Sequence, residues 1–485
     1  MFDAGWITVA VFALDLLLRV GLSVRVIMRR RPVGVSLAWL TTILIFPFFG
    51  AAVYLMFGEL RLGNRRARWA AEIHGPYERW LGELRHRAQV DWSTTGRYCE
   101  PLGRMVEAAG GIPTLPGNRL QLLDTWQEVF DALIADIDAA TRTAHLVFYI
   151  WNEGGRADDV VDALLRAAGR GVRCRVLVDD VGSRAFLRSR TAKRMRDGGV
   201  ELVSALRAGL VRNLFVRFDL RMHRKIVVID GRVAYTGSLN MVDPRFFKKD
   251  AGVGEWVDAM VRIEGPVVEA LAITFLEDWA LESSETVEQL AETGDVHPLT
   301  PKGTSAAQAI PSGPAVHFNL IEPVLISTIY AARRELILTT PYFVPDEALL
   351  VALGSAALRG VEVTLIVPAK VDSRLVRWAS GAFKGDLLAA GVKVMLFDGG
   401  LLHTKSVSVD GELSLFGSLN LDPRSLHLNF EITLAVYDTE FTGRLRTLQQ
   451  SYIDQSELMD LEAWRSRSAA VRFTENTARL LGPLL

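Results

Sequence analysis

Residues 33–58, VGVSLAWLTTILIFPFFGAAVYLMFG, carry no charge. A run of that length spans a hydrocarbon core of about 30 Å as one helix, and membrane helices tolerate bends such as Pro47 and Gly50 would cause. Residues 5–28 are also apolar but contain Asp15, Arg19 and Arg25. A single Asp or Arg at a helix centre costs about 2.5–3.5 kcal/mol on insertion. Asp15 and Arg19 share a helix face and can pair, and Arg25 can snorkel from the end. Arg29, Arg30 and Arg31 follow this run instead of preceding it, and no small-residue cleavage site is evident, which disfavours a cleaved signal peptide. The pattern predicts a transmembrane helical hairpin over residues 1–58, hence an integral, multi-pass membrane protein. Arg61, Arg65, Arg66 and Arg68 make the exit as basic as the turn, so the positive-inside rule leaves the orientation open.

A polar, helix-prone connector covers residues 59–110, and then the periodicity changes. HLVFYIW (145–151) has strand character, ADDVVDALLRAAGRG reads as a helix stopped at Gly171, and VRCRVLVDD as a buried strand. The order returns later with LILTTPYFV (336–344), EALLVALGSAALRG stopped at Gly360, and VEVTLIVPAK. Strands alternating with helices argue for α/β layers with largely buried sheets. A unit of this length written twice predicts a duplicated domain, over 111–285 and 316–485, joined by a polar interdomain loop over 286–315.

Composition narrows the class. The formal net charge is −1 and hydrophobic residues make up 49% of the chain, so the chain as a whole is not a polyanion binder, which argues against a nucleic-acid partner. Cys99 and Cys174 are too few and too scattered for a disulfide framework or a zinc cluster. The sequence is silent on oligomeric state.

Each half ends its pattern with the same string: MHRKIVVIDGRVAYTGSLN in the first, LHTKSVSVDGELSLFGSLN in the second. His223 and Lys225, like His403 and Lys405, are two apart, so on a strand they face one side. Asp230 and Asp410 sit beside Gly231 and Gly411 at strand-to-turn junctions and read mainly as supports of the site. Gly-Ser-x-Asn follows in both copies, with Ser238, Asn240, Ser418 and Asn420 as candidate phosphate-binding groups. If both motifs meet in one cleft, two His, two Lys and two Asn suit a phosphodiester. Lys and Asn hold phosphoryl oxygens, one neutral His attacks phosphorus and the other, protonated, serves the leaving oxygen. No metal or other cofactor is expected, because the set lacks metal-ligand clusters. Glu431 in NFEITLAV and Asp258 in EWVDAMVRI are candidate orienting acids. Between residues 184 and 225 the chain is strongly basic, and Arg212 and Arg217 in the apolar GLVRNLFVRF are candidate contacts to anionic headgroups.

His-x-Lys-x4-Asp followed by Gly-Ser-x-Asn resembles the phospholipase D superfamily, and both copies match it without departure. RRPVGVSLAWL, FYIWNEGGRADD, MVDPRFFKKDAGVGEW and TTPYFVP make the chain similar, over nearly its whole length, to the bacterial cardiolipin synthase family within it. The resemblance implies two tandem phospholipase D-like α/β sandwich domains related by pseudo-twofold symmetry behind the hairpin. It also implies reversible phosphatidyl transfer between two phosphatidylglycerol molecules, giving cardiolipin and glycerol, at the bacterial inner membrane and without nucleic acid. His223 would carry the phosphatidyl group and His403 would act as acid, then base. The near-symmetric motifs give no physical reason of their own to choose between them.

Overall fold

A computed structural model describes residues 4–29, 33–46, 48–59, 79–207, 219–283, 285–286, 289–290, 292–314 and 320–480. The chain forms two compact units, Met1–Arg68 with Ala208–Leu220, and Trp69–Arg207 with Arg221–Leu485.

The first unit has helices α1 (Ala4–Met28), α2 (Val33–Ile45) and α3 (Phe49–Phe57). The uncharged stretch expected to cross as one helix is divided in two. Its pieces have 13 and 9 residues, about 20 and 14 Å at 1.5 Å per residue, both short of a bilayer core of about 30 Å. Pro47 lies outside the described residues, but a proline lacks the N–H that a continuing helix needs. Among the described residues only α1, the segment that carries charges, is long and apolar enough to cross. Leu22 and Val26 of α1 pack with Ile43, Ala51 and Tyr54 in a small core.

The second unit is built on strands. The first half contributes β1 (Leu115–Leu123), β2 (Thr143–Phe148), β3 (Arg173–Asp179), β4 (Glu201–Ala205), β5 (Ile226–Ile229), β6 (Val233–Gly237), β7 (Trp256–Val257) and β8 (Met260–Glu264). The second half contributes β9 (Ser305–Ser312), β10 (Glu335–Thr339), β11 (Glu362–Pro368), β12 (Lys393–Phe397), β13 (Leu401–Leu402), β14 (Ser406–Val409), β15 (Leu413–Gly417), β16 (Glu431–Tyr437) and β17 (Ser456–Leu458). One sheet of 15 strands runs β17-β12-β11-β10-β14-β15-β16-β9-β1-β8-β6-β5-β2-β3-β4, while β7 and β13 pair separately. Counted outward from β9 on one side and from β1 on the other, both included, seven strands on each side follow corresponding order. The expected polar loop between halves is corrected here, because β9 falls inside it and is buried along most of its length.

The parallel strands β2 and β3 are buried along nearly their whole length and read as largely apolar runs, while β4 at the sheet edge is half-buried. Helix Arg156–Gly169 buries Ala157, Val160, Val161, Leu164 and Ala167 at helical spacing, and Gly171 follows it at φ 89°, a conformation that favours glycine. Helix Glu347–Leu358 repeats the arrangement, with Asp346 accepting from the Leu349 N–H at 2.8 Å as N-cap.

The Asp-Gly pairs close the hairpins that follow each motif. Asp230 and Gly231 have φ 53° and 63°, and Asp410 and Gly411 have φ 53° and 75°. Such turns favour these residue types. The Asp230 carboxylate accepts from the backbone N–H of Thr141 (2.9 Å), Arg142 (2.7 Å) and Thr143 (2.9 Å), fixing the entry to β2. Asp410 does the same with Arg333, Arg334 and Glu335. Burial opposes ionisation of Asp230, but these N–H groups hold its carboxyl below the ordinary range. Each Asp lies at the far end of a strand from its His-x-Lys, about 16 Å along the chain from the Lys and about 23 Å from the His at roughly 3.3 Å per residue. They are clamps and not members of the cleft. Asp230→Ala should therefore lower stability by about 1.5–3 kcal/mol in denaturant unfolding, while the activity per folded molecule stays far above that of His223→Ala.

Candidate active site

The expectation that His and Lys sit on strands needs adjusting. His223–Lys225 and His403–Lys405 lie in extended segments just before β5 and β14. Those segments are held by the opposite half. Met222 bridges Phe430 in parallel, with the His223 N–H donating to Phe430 O at 2.9 Å. Leu402 of β13 pairs in parallel with Val257 of β7, with the His403 N–H donating to Val257 O at 2.8 Å. In a parallel pair the next residues also stand side by side. His223 therefore comes beside Glu431, and His403 beside Asp258.

The contacts follow. His223 Nδ1 lies 2.8 Å from Glu431 Oε2, and His403 Nδ1 lies 2.6 Å from Asp258 Oδ1. A carboxylate only accepts, so each Nδ1 carries the hydrogen and the neutral ring presents a lone pair at Nε2. Each half thus supplies the acid that orients the other half's histidine. Ser418 donates to Glu431 (2.5 Å) and accepts from the Ile432 N–H (3.0 Å). Ser238 donates to Asp258 (2.6 Å) and accepts from the Ala259 N–H (3.1 Å). Asn429 adds a donor to Glu431 Oε1 at 3.2 Å.

Lys225 Nζ donates to His223 O at 2.7 Å, and Lys405 Nζ donates to His403 O. Both lysines are buried. Burial lowers Lys225 to about 8 and Lys405 to about 7, the latter also pushed by Lys225. Burial, opposed by the carboxylates, lowers each imidazole to about 4. At neutral pH the two imidazoles are neutral, Lys225 is mostly charged and Lys405 only partly so.

The chain matches the family described as "Cardiolipin synthase, PLD-like domain" over residues 133–279 and 325–452, and the "Phospholipase_D-nuclease N-terminal" family over residues 17–59. It is 47% identical over 469 residues to cardiolipin synthase A of Yersinia pseudotuberculosis serotype O:1b (strain IP 31758), covering 97% of this chain and 96% of that one. The same figures hold for cardiolipin synthase A of Yersinia pestis bv. Antiqua (strain Angola). The chain belongs to the cardiolipin synthase family of phospholipase D-like proteins. A crystal structure of phosphatidylserine synthase from Haemophilus influenzae Rd KW20 shares the fold at TM-score 0.58 and 15% identity, covering 79% of this chain and all of that one. The second unit is accordingly a mixed α/β fold with repeated phospholipase D-like domains.

Within this family frame, some expectations change. Ser238 and Ser418 were expected on phosphate, but each hydroxyl is already engaged by an acid and a backbone N–H, so they position the acids. Asn240 stays a phosphate candidate. Its Oδ1 accepts from the Ile150 N–H at 3.1 Å, and its buried Nδ2 has no partner among the described residues. Asn420 is buried with Oδ1 likewise unpartnered. Arg212 and Arg217 lie outside the described residues.

Sequence reasoning missed several groups. The Tyr149 ring lies 4.9 Å from the His223 ring, and the Trp256 ring lies 4.4 Å from His403. Tyr149 lies in HLVFYIW, read as a strand, and Trp256 in EWVDAMVRI, read only for Asp258. Arg224, the middle residue of the first motif, is buried. It donates to Glu431 O (3.0 Å) and pairs with Asp278 (2.6 Å), whereas Thr404 at the matching place contacts Val257 O and Tyr452. Lys248 and Asp372, one from each half, pair at 3.0 Å, and Tyr342 donates to the same carboxylate at 2.7 Å.

The neutral imidazoles give a stability test. An unfolded imidazole binds a proton below about 6.5, and the folded ones bind only near 4. Between these values the unfolded chain holds more protons, so stability is present above pH 6.5 and declines as pH falls toward 4. Thermal unfolding across that window should show a falling Tm, with a shallower slope in the double variant His223→Gln, His403→Gln.

Proposed function

We propose that the chain transfers a phosphatidyl group between two phosphatidylglycerol molecules, reversibly, to give cardiolipin and glycerol. The crossed His–acid pairs carry this reading: two imidazoles, each with a free Nε2, share a cleft with two lysines. That arrangement suits a double displacement at phosphorus, with the halves acting as pseudo-twofold partners.

His223 Nε2 attacks phosphorus and the P–O bond to glycerol breaks. His403, protonated in the substrate complex, gives its proton to the departing glycerol oxygen. The primary hydroxyl of the second phosphatidylglycerol then loses its proton to His403 and attacks the phosphatidyl-histidine. The P–N bond breaks and His223 is restored. Glu431 and Asp258 hold the rings and offset their positive charge. Lys225, Lys405 and the Asn240 carboxamide neutralise and bond the phosphoryl oxygens. Giving His223 the nucleophile's role follows the family pattern. The N-terminal unit, with Arg212 and Arg217 on anionic headgroups, would keep the cleft at an inner-membrane surface. There a lipid hydroxyl is concentrated and competes with water for the intermediate.

Purified protein with phosphatidylglycerol in mixed micelles should release cardiolipin and glycerol in equal amounts. Phosphatidic acid as the sole lipid product would replace this reading with hydrolysis. With a donor whose leaving group needs no proton, His403→Ala should accumulate phosphatidyl group on the denatured protein. His223→Ala should accumulate none; the reverse pattern exchanges the two roles. Asp258→Asn and Glu431→Gln should each lower kcat by about 10²–10⁴-fold, as loss of an orienting acid does elsewhere. Lys405 and Lys225 lose charge as pH rises through about 7 and about 8, so KM for phosphatidylglycerol should climb across that window. A KM that stays flat from pH 6.5 to 9 would remove the lysines from phosphate binding.

A further inference from the structure

The N-terminal unit folds back on itself. Trp39 of α2 and Tyr54 of α3 stack edge to face with ring centroids 5.4 Å apart. In one continuous helix, 15 residues would separate them by about 22 Å. Gly50 packs so closely on Thr42 and Ile43 that an added Cβ would lie 2.2 Å from Thr42 O. α2 and α3 are therefore antiparallel arms joined at a tip near Phe46–Phe49.

α1 records how deep that tip sits. At one level Arg25 donates to Glu59 at 2.8 Å, just past the end of α3, and Arg29 lies 3.7 Å from the same carboxylate. At the other level Arg19 donates to Leu44 O at 2.7 Å, and Asp15 accepts from the Phe48 N–H at 3.3 Å. Asp15 and Arg25 are ten residues apart, about 15 Å along a helix, or half of a core of about 30 Å. Arg19 caps one C-terminal carbonyl of α2, Asp15 accepts from the amide at the N-cap of α3, and the two side chains pair at 2.7 Å; these are backbone groups that a turn leaves open. Inside hydrocarbon such groups must be satisfied by protein. The charges in α1 are thus explained by the tip they cap. Phe48 holds φ 51°, a strained conformation for a bulky residue. Phe46, Phe48 and Phe49 are 52%, 41% and 66% exposed, as are Leu44 and Ile45 at 51% and 61%, an apolar rim that suits acyl chains.

We infer that α1 crosses the bilayer once, and that α2 and α3 form a re-entrant loop whose aromatic tip stops near the midplane, in contact with acyl chains. This rests on the membrane reading above and goes beyond it. The turn after α1 and the exit at Glu59 then open on the same face. In sequence, Arg29, Arg30 and Arg31 follow α1 and Arg61, Arg65, Arg66 and Arg68 follow Glu59, while no Lys or Arg precedes Arg19. The positive-inside rule, indecisive for two crossings, now puts Glu59 and the chain that follows it on the cytoplasmic face, and the N-terminus on the opposite one.

The test uses the full chain in sealed vesicles of both orientations and a membrane-impermeant maleimide. Cys99 and Cys174 are buried, so single added cysteines report position. Asp3→Cys should label in right-side-out vesicles only, and Gln450→Cys in inside-out vesicles only. Phe49→Cys should be protected in both until detergent is added. Asp3 and Gln450 labelling from the same face means an even number of crossings and overturns the inference. Labelling of Phe49→Cys from the Asp3 face means a tip that traverses the bilayer, and overturns it too. Release of the protein by an alkaline carbonate wash would instead defeat the membrane reading itself.

Discussion

Each imidazole is oriented by a carboxylate from the other half of the chain, and the geometry of the second unit depends on that exchange. Two short parallel contacts set it, Met222 with Phe430 and Leu402 with Val257. They decide which acid stands next to which ring. The wide sheet also joins the halves through the central antiparallel β1–β9 pair. A half alone would hold a histidine without its acid and an acid without its histidine, and burying either unpaired is costly.

The elements of this arrangement were legible in the sequence because they are written as local patterns. Apolar runs bounded by glycines located strands and helices, and the repeated spacing of His, Lys, Asp-Gly and Gly-Ser-x-Asn located the motif. The exchange was not legible. Spacing within a motif says nothing about which of two similar carboxylates, 208 and 145 residues away, will meet a ring. The serines misled for a related reason. A hydroxyl near a phosphate site looks like a ligand until its hydrogen-bonding capacity is counted, and here an acid and an amide use it.

Two backbone features were misread because composition disguised them. β9 contains Ala, Ser, Pro and the buried Gln308, so it resembles a linker. Gln308 is nevertheless fully bonded, donating to Ile112 O at 2.7 Å and accepting from Tyr437 at 2.8 Å, and neighbours bury the strand. Residues 33–58 looked like a clean span because they lack charge. Length and apolarity are necessary for a crossing, but they do not show whether the backbone stays straight. The informative residues were the apparent blemishes Asp15 and Arg19 in the neighbouring helix, which pair with each other as expected and also meet main-chain groups of the fold-back.

The backbone contacts beside the histidines also limit how a bulky molecule can come and go. Spreading the two halves like a hinged shell would pull Met222 from Phe430 and Leu402 from Val257, and would take both imidazoles off their acids. Both imidazoles keep their acids only while that seam stays closed. The Lys248–Asp372 pair spans the seam with Tyr342 on the same carboxylate, and Lys248 is 45% exposed at its side chain. A contact of that kind opens by rotation of one flexible lysine, on a timescale of nanoseconds, and leaves the buried chemistry undisturbed.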